Sequence, residues 1–188
     1  MQNHGGYKKN YDNFISEEDL SDYGDFPQAE TYLRLIRESD QALAELIEYF
    51  KSVEEPTLIC FFGDHQPALE NSFYEYLYGK PLDSLTPQEL QKKYITPFLL
   101  WANYDIEEQY IDKMSANYLG AYVAKIANYD LPAYESFQYR LYQEYPVISE
   151  FGIYDKKGNY YDADSSIDVE KALLEYQYLQ YYRLHDAK

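Results

Sequence analysis

The chain has 188 residues, 16 Lys and Arg against 33 Asp and Glu, and a formal net charge of −17. That charge excludes a nucleic-acid backbone or an anionic lipid surface as an electrostatic partner, because both require a basic face. A hydrophobic share of 46% excludes disorder, and the length suits one domain or slightly more.

The first residues, Met1-Gln2-Asn3-His4-Gly5-Gly6, lack a basic region followed by an apolar core, so no signal peptide is expected here. Residues 8 to 26 are polar and acidic and read as a loop. Pro27 opens a segment with apolar residues at Tyr32, Leu35, Ile36, Leu43, Leu46, Ile47 and Phe50. That spacing predicts a helix over about 28 to 52, with proline at a first-turn position where its missing N–H costs nothing. Thr57 to Phe62 is continuously apolar and predicts a strand buried on both faces, as in a parallel sheet. Cys60, inside this run, reads as a small core residue. The run's apolar part, Leu58 to Phe62, is far below the roughly 20 residues that span a bilayer, and no other apolar stretch of the chain comes near that length.

Leu69 to Tyr78 predicts a short helix ended by Gly79. Thr86-Pro87-Gln88-Glu89 resembles a helix start. Ile95 to Ala102 predicts a second strand, with Pro97 near the sheet's edge. Helices follow at Ser115 to Tyr129 and Pro132 to Tyr145. Asp155-Lys156-Lys157-Gly158-Asn159 between tyrosines signals a hairpin. Asp168 to His185 is a final helix. This order predicts an α/β layered fold with helices covering a mostly parallel sheet.

Two places carry candidate chemistry. Asp64 and His65 directly follow the first strand, where ligands of open α/β sheets bind. A hard carboxylate oxygen beside an imidazole nitrogen suits Mn²⁺ or Zn²⁺. The alternative is a surface turn in which Asp64 caps the next helix. Gly63 would allow a sharp backbone turn, and Pro67 would stiffen the exit. Asn3-His4-Gly5 is the second place; its alternative is a frayed terminus. His185, between Arg183 and Asp186, reads as solvated. No phosphate-binding glycine loop, serine elbow or Cys/His metal spacing occurs.

The segments Met1-Gln2-Asn3-His4-Gly5-Gly6-Tyr7 and Phe61-Phe62-Gly63-Asp64-His65-Gln66-Pro67 resemble the C-terminal half of a particular catalytic domain. It is the sulfatase-type domain of the lipoteichoic acid synthase and phosphoglycerol transferase family, within the alkaline phosphatase superfamily. The second strand, Tyr94 to Ala102, and Ser115-Ala116-Asn117-Tyr118-Leu119 share the likeness, which covers residues 1 to 130. The resemblance implies part of a three-layer α/β/α fold, with residues 131 to 188 as a Tyr-rich helical and hairpin extension. It implies that Asp64 and His65 ligate a divalent metal, commonly manganese, and that Asn3 and His4 lie in the substrate pocket near a phosphoglycerol group.

In this family a threonine nucleophile lies upstream of the Asn-His motif. Thr31, Thr57, Thr86 and Thr96 occupy helix, strand or cap contexts, and none takes that role. The resemblance therefore implies a fragment whose partner is the N-terminal half of the same domain, inactive alone and prone to self-association through an exposed sheet edge. The parent protein would act on a glycerophosphate lipid or polymer at the outer face of a bacterial membrane. A reading from a different class is a non-catalytic module whose tyrosines bind glycan or a partner. Against it, Tyr118 with Tyr122, Tyr134 with Phe137 and Leu141, and Tyr178 with Tyr181 and Tyr182 recur at helical spacing, which predicts core packing.

Overall fold

The computed structural model describes residues 5–8, 19–162 and 167–185. The chain divides into two compact units, one of residues 1–86 with 93–104 and one of residues 87–92 with 105–188.

In the first unit, helix α1 runs from Pro27 to Lys51, with proline in its first turn as expected. Its N-terminus has no side-chain cap of its own. Instead the Gln28 N–H donates to Glu70 Oε1 at 2.5 Å, so a carboxylate distant in sequence meets the positive end of the helix. Phe26, buried just before α1, packs edge-on against Phe73 of helix α2 (Asn71–Tyr78). Helix α2 ends at Gly79 in the left-handed conformation, φ 67°, the stop that glycine tolerates best.

Strands β1 (Leu58–Phe62) and β2 (Phe98–Ala102) form a two-stranded sheet. The α/β class holds, but the expected parallel sheet does not: β1 and β2 pair antiparallel, Leu58 opposite Ala102 and Phe62 opposite Phe98. The connection 63–97 leaves and re-enters the sheet at the same end, which an antiparallel return allows. Nor is β1 buried on both faces. Phe61 and Phe62 are exposed, as is Leu99 opposite Phe61. A continuous apolar run records hydrophobicity and not strand direction or cover. Cys60 is half-buried, and burial raises the pKa of its thiol, which makes it a poor nucleophile.

Asn103, just past β2, closes this end of the unit. Its Nδ2 donates to the carbonyls of Val53 at 2.8 Å and Glu55 at 3.0 Å, and its Oδ1 accepts the Thr57 N–H at 2.8 Å. One side chain thus fixes the turn between α1 and β1.

The second unit begins with the short helix α3 (Pro87–Gln91). Buried Gln91 donates from Nε2 to Ser149 Oγ at 2.7 Å, tying α3 to a three-stranded meander of β3 (Val147–Ser149), β4 (Gly152–Tyr154) and β5 (Tyr160–Tyr161). All its pairings are antiparallel. Only the β4–β5 hairpin was readable in sequence, and its turn is held by Asp155. That carboxylate accepts the Asn159 side chain at 2.9 Å, the N–H groups of Asn159 and Lys157, and the Tyr161 hydroxyl, which hold its pKa down at about 2.

A 3₁₀ turn at Ala116–Tyr118 leads into α4 (Leu119–Ile126), followed by α5 (Ala133–Glu144) and α6 (Ile167–His185). Tyr118, Leu141 and Tyr176 form the buried centre, with Tyr134, Phe137 and Tyr142 among the partly buried groups around it. Tyr122 is buried too. The packing expected of Tyr118, Tyr122 and the Tyr134–Leu141 set is therefore present. Tyr178, Tyr181 and Tyr182 are the correction: they are 66%, 61% and 57% exposed. At 3.6 residues per turn they fall on the side of α6 opposite Tyr176, which takes the core position instead. His185 is exposed, as expected, with its ring 4.4 Å from that of Tyr181. No helix among the described residues is long and apolar enough to cross a membrane.

Candidate metal centre

Asp64 and His65 stand at the carboxyl end of β1, in the first unit. Both are exposed, with side chains 71% and 61% accessible. The alternative of helix capping fails on position, because α2 begins at Asn71 and the Asp64 Oδ1 accepts the His65 N–H at 2.9 Å. The other carboxylate oxygen, Oδ2, lies 3.6 Å from His65 Nε2. The remaining ring nitrogen, Nδ1, is 2.9 Å from the carbonyl of Gln66. A carbonyl can only accept, so Nδ1 carries a proton, and in the neutral form of the ring Nε2 is the nitrogen with the lone pair. The pair thus turns one oxygen and one basic nitrogen toward each other.

The residues fit a divalent cation in kind. Metal–oxygen and metal–nitrogen bonds of about 2.0–2.2 Å are compatible with donors 3.6 Å apart. A backbone carbonyl on the far nitrogen is also the usual support of a ligating histidine. Two donors are half of a four-coordinate set, and among the described residues no group of three or more His, Cys, Asp or Glu side chains is placed to hold a metal ion. Asn3 and His4 lie outside the described residues.

The loop bearing the pair is bound on both sides to the start of β2. The Gly63 N–H donates to the Pro97 carbonyl at 3.1 Å, extending the β1–β2 ladder by one step. Thr96 Oγ1 donates to the Gly63 carbonyl at 2.8 Å, and the Gln66 Nε2 donates to the Ile95 carbonyl. Pro67 is buried, and its carbonyl accepts the Tyr74 hydroxyl. Gly63 does not serve the sharp turn anticipated, since its φ is not positive. What it provides is closeness: a Cβ there would lie 2.9 Å from Thr96 Cβ. Gln66 and Thr96 went unremarked as site residues in the sequence. The one signal that could have found them is the strand register, which no single sequence displays.

The α/β fold and the family match both place the chain in the alkaline phosphatase superfamily. The chain belongs to the sulfatase family, whose model matches residues 1–129. Over 191 aligned residues it is 28% identical to a Rhizobium meliloti (strain 1021) protein named for cyclic beta-1,2-glucan modification. That match covers 96% of this chain and 29% of the relative. Its fold resembles Streptococcus pyogenes phosphoglycerol transferase GacH, solved in complex with sn-glycerol-1-phosphate, at a TM-score of 0.66 and 18% identity. The likeness covers 96% of this chain and 41% of GacH. The chain thus spans less than half the length of either protein.

Proposed function

We propose that the chain supplies part of the metal site of a phosphoester-processing enzyme of the sulfatase family, a phosphoglycerol transferase or related hydrolase. Its substrates would be glycerophosphate-bearing lipids or polymers of the bacterial cell envelope, met at the outer face of the membrane. The observation that carries this reading is the 3.6 Å approach of Asp64 Oδ2 and His65 Nε2, with the ring's other nitrogen engaged by a carbonyl. Asp64 and His65 hold the cation, for which manganese is the favoured identity. Bound there, the ion supplies Lewis-acid charge for a phosphoester oxygen. Asn3 and His4 contact the phosphoglycerol group. The nucleophile and the remaining ligands come from the part of the domain that this chain does not span. Alone, the polypeptide is inactive and binds metal weakly, because two ligands make an incomplete site.

Calorimetric titration with Mn²⁺ tests this. Weak binding, lost in Asp64→Asn and in His65→Ala, is expected, with no phosphodiesterase turnover. Binding unaffected by either substitution overturns the metal assignment. Micromolar-or-better affinity or turnover by the chain alone overturns its incompleteness.

A second reading has one specific observation in its favour. Exposed Tyr178, Tyr181 and Tyr182 lie on one side of α6, and tyrosine pairs a flat apolar face with a hydroxyl, which suits glycans. Nuclear magnetic resonance titration with a cyclic β-1,2-glucan would then shift signals along α6, and Tyr178→Ala with Tyr181→Ala would abolish the shifts. Silence at α6 dismisses that reading.

A further inference from the structure

We infer that Gln66 and Thr96 are positioning residues, which clasp the loop bearing Asp64 and His65 to the start of β2 and so hold the pair in its ligating geometry. The inference rests on the metal reading above and adds to it the means by which an exposed pair keeps its aim.

Both side chains of the pair are mostly in solvent. An exposed side chain that is free to turn pays an entropic cost on taking up a metal, and a support that limits its motion lowers that cost. The backbone that carries them is one means of orienting them. Here the residues flanking the pair are tied down on each side. Before it, Gly63 is bound twice, by its own N–H to the Pro97 carbonyl and by Thr96 Oγ1 to its carbonyl. After it, Gln66 reaches from its side chain to the Ile95 carbonyl while its own carbonyl meets His65 Nδ1. The second link matters most. The Gln66 carbonyl sets which ring nitrogen carries the proton, and the Gln66 side chain holds that peptide in place. Loosening it would free the imidazole to exchange tautomers and to turn Nε2 away from Asp64. Thr96 does the same work from the other side, and its Cβ sits where only a glycine at position 63 leaves space.

The test combines two readouts on the full chain. Imidazole ¹⁵N shifts report the His65 tautomer, and Mn²⁺ titration reports affinity at His65. In Gln66→Ala and Thr96→Val the Nδ1-protonated form should give way to a mixture. Mn²⁺ affinity should fall by about tenfold, the scale expected when a ligand's support is removed. Thr96→Ser keeps the hydroxyl and should restore both. The melting temperature should stay within about 4 °C of wild type, the shift that one lost hydrogen bond gives a chain of this size. Unchanged tautomer and affinity in both variants overturn the clasp. If Mn²⁺ never reaches His65 in the wild type, the metal reading fails, and the clasp is judged on the tautomer alone: persistence of the Nδ1–H form in both variants overturns it.

Discussion

At the scale of single residues, the site depends on which atoms are kept apart and which are kept together. Gly63 is present because of Thr96. A side chain at position 63 would put its Cβ 2.9 Å from Thr96 Cβ, so any larger residue must push the loop off the start of β2. Gly63→Ala should cost about 1–3 kcal/mol, the usual range for an added methylene without space. Denaturant titration reads that cost as a lower midpoint, and an unchanged midpoint would show that the loop gives way freely. The motif from Phe61 to Pro67 was legible in sequence because its chemistry is contiguous. Gln66 and Thr96 were not. Their partners, Ile95 and Gly63, are some thirty positions distant, and pairing at that range follows from register rather than composition.

At the scale of elements, helix and strand positions were legible because apolar spacing and prolines mark them. Pro27 opens α1, Gly79 closes α2, and Pro97 precedes β2. The orientation of β1 against β2 was not legible, because an apolar run reads the same in either direction. What fixes the far end of the pair is Asn103, whose amide bridges the α1–β1 turn. Asn103→Ala would leave the Thr57 N–H and the carbonyls of Phe50, Val53 and Glu55 without this partner. A loss of about 1–3 kcal/mol is expected, the penalty of stranding partly buried polar groups. Equilibrium unfolding measures it, and amide exchange should quicken at Thr57 first. Full stability in the alanine variant would place the lock elsewhere.

At the scale of the whole molecule, the 25 tyrosines explain themselves in part through burial. Tyr118, Tyr122 and Tyr142 have phenols whose pKa values burial raises, with neighbouring tyrosines adding to the effect. A phenol whose folded pKa exceeds its unfolded one gives stability that is whole below the unfolded value, near 10, and is lost as pH climbs toward the folded value. The chain should therefore unfold in alkali. Phenolate absorbance should show a late class, with Tyr118, Tyr122 and Tyr142 in it, that appears only with unfolding. A single smooth titration near 10 would contradict this. The exposed stripe on α6 also shows the limit of periodicity as a guide. Tyr176 and Tyr178 are the same residue type two positions apart, and only the direction of the core separates them. Family membership was legible from two motifs, whereas the exposure of Phe61, Phe62 and Leu99 is written in no residue of their own strands.

The most direct test of the central claim is a map of paramagnetic broadening on adding Mn²⁺ to the isolated chain. A surface of net charge −17 offers many weak cation contacts, so location decides the matter. The expected result is that signals of residues 61–67 and 95–98 vanish first, while those of Thr57 and Asn103, at the opposite end of the β1–β2 pair, stay sharper. Broadening centred on the acidic stretch Asp105 to Glu108, or spread evenly with His65 unaffected, would contradict the assignment of Asp64 and His65 as metal ligands.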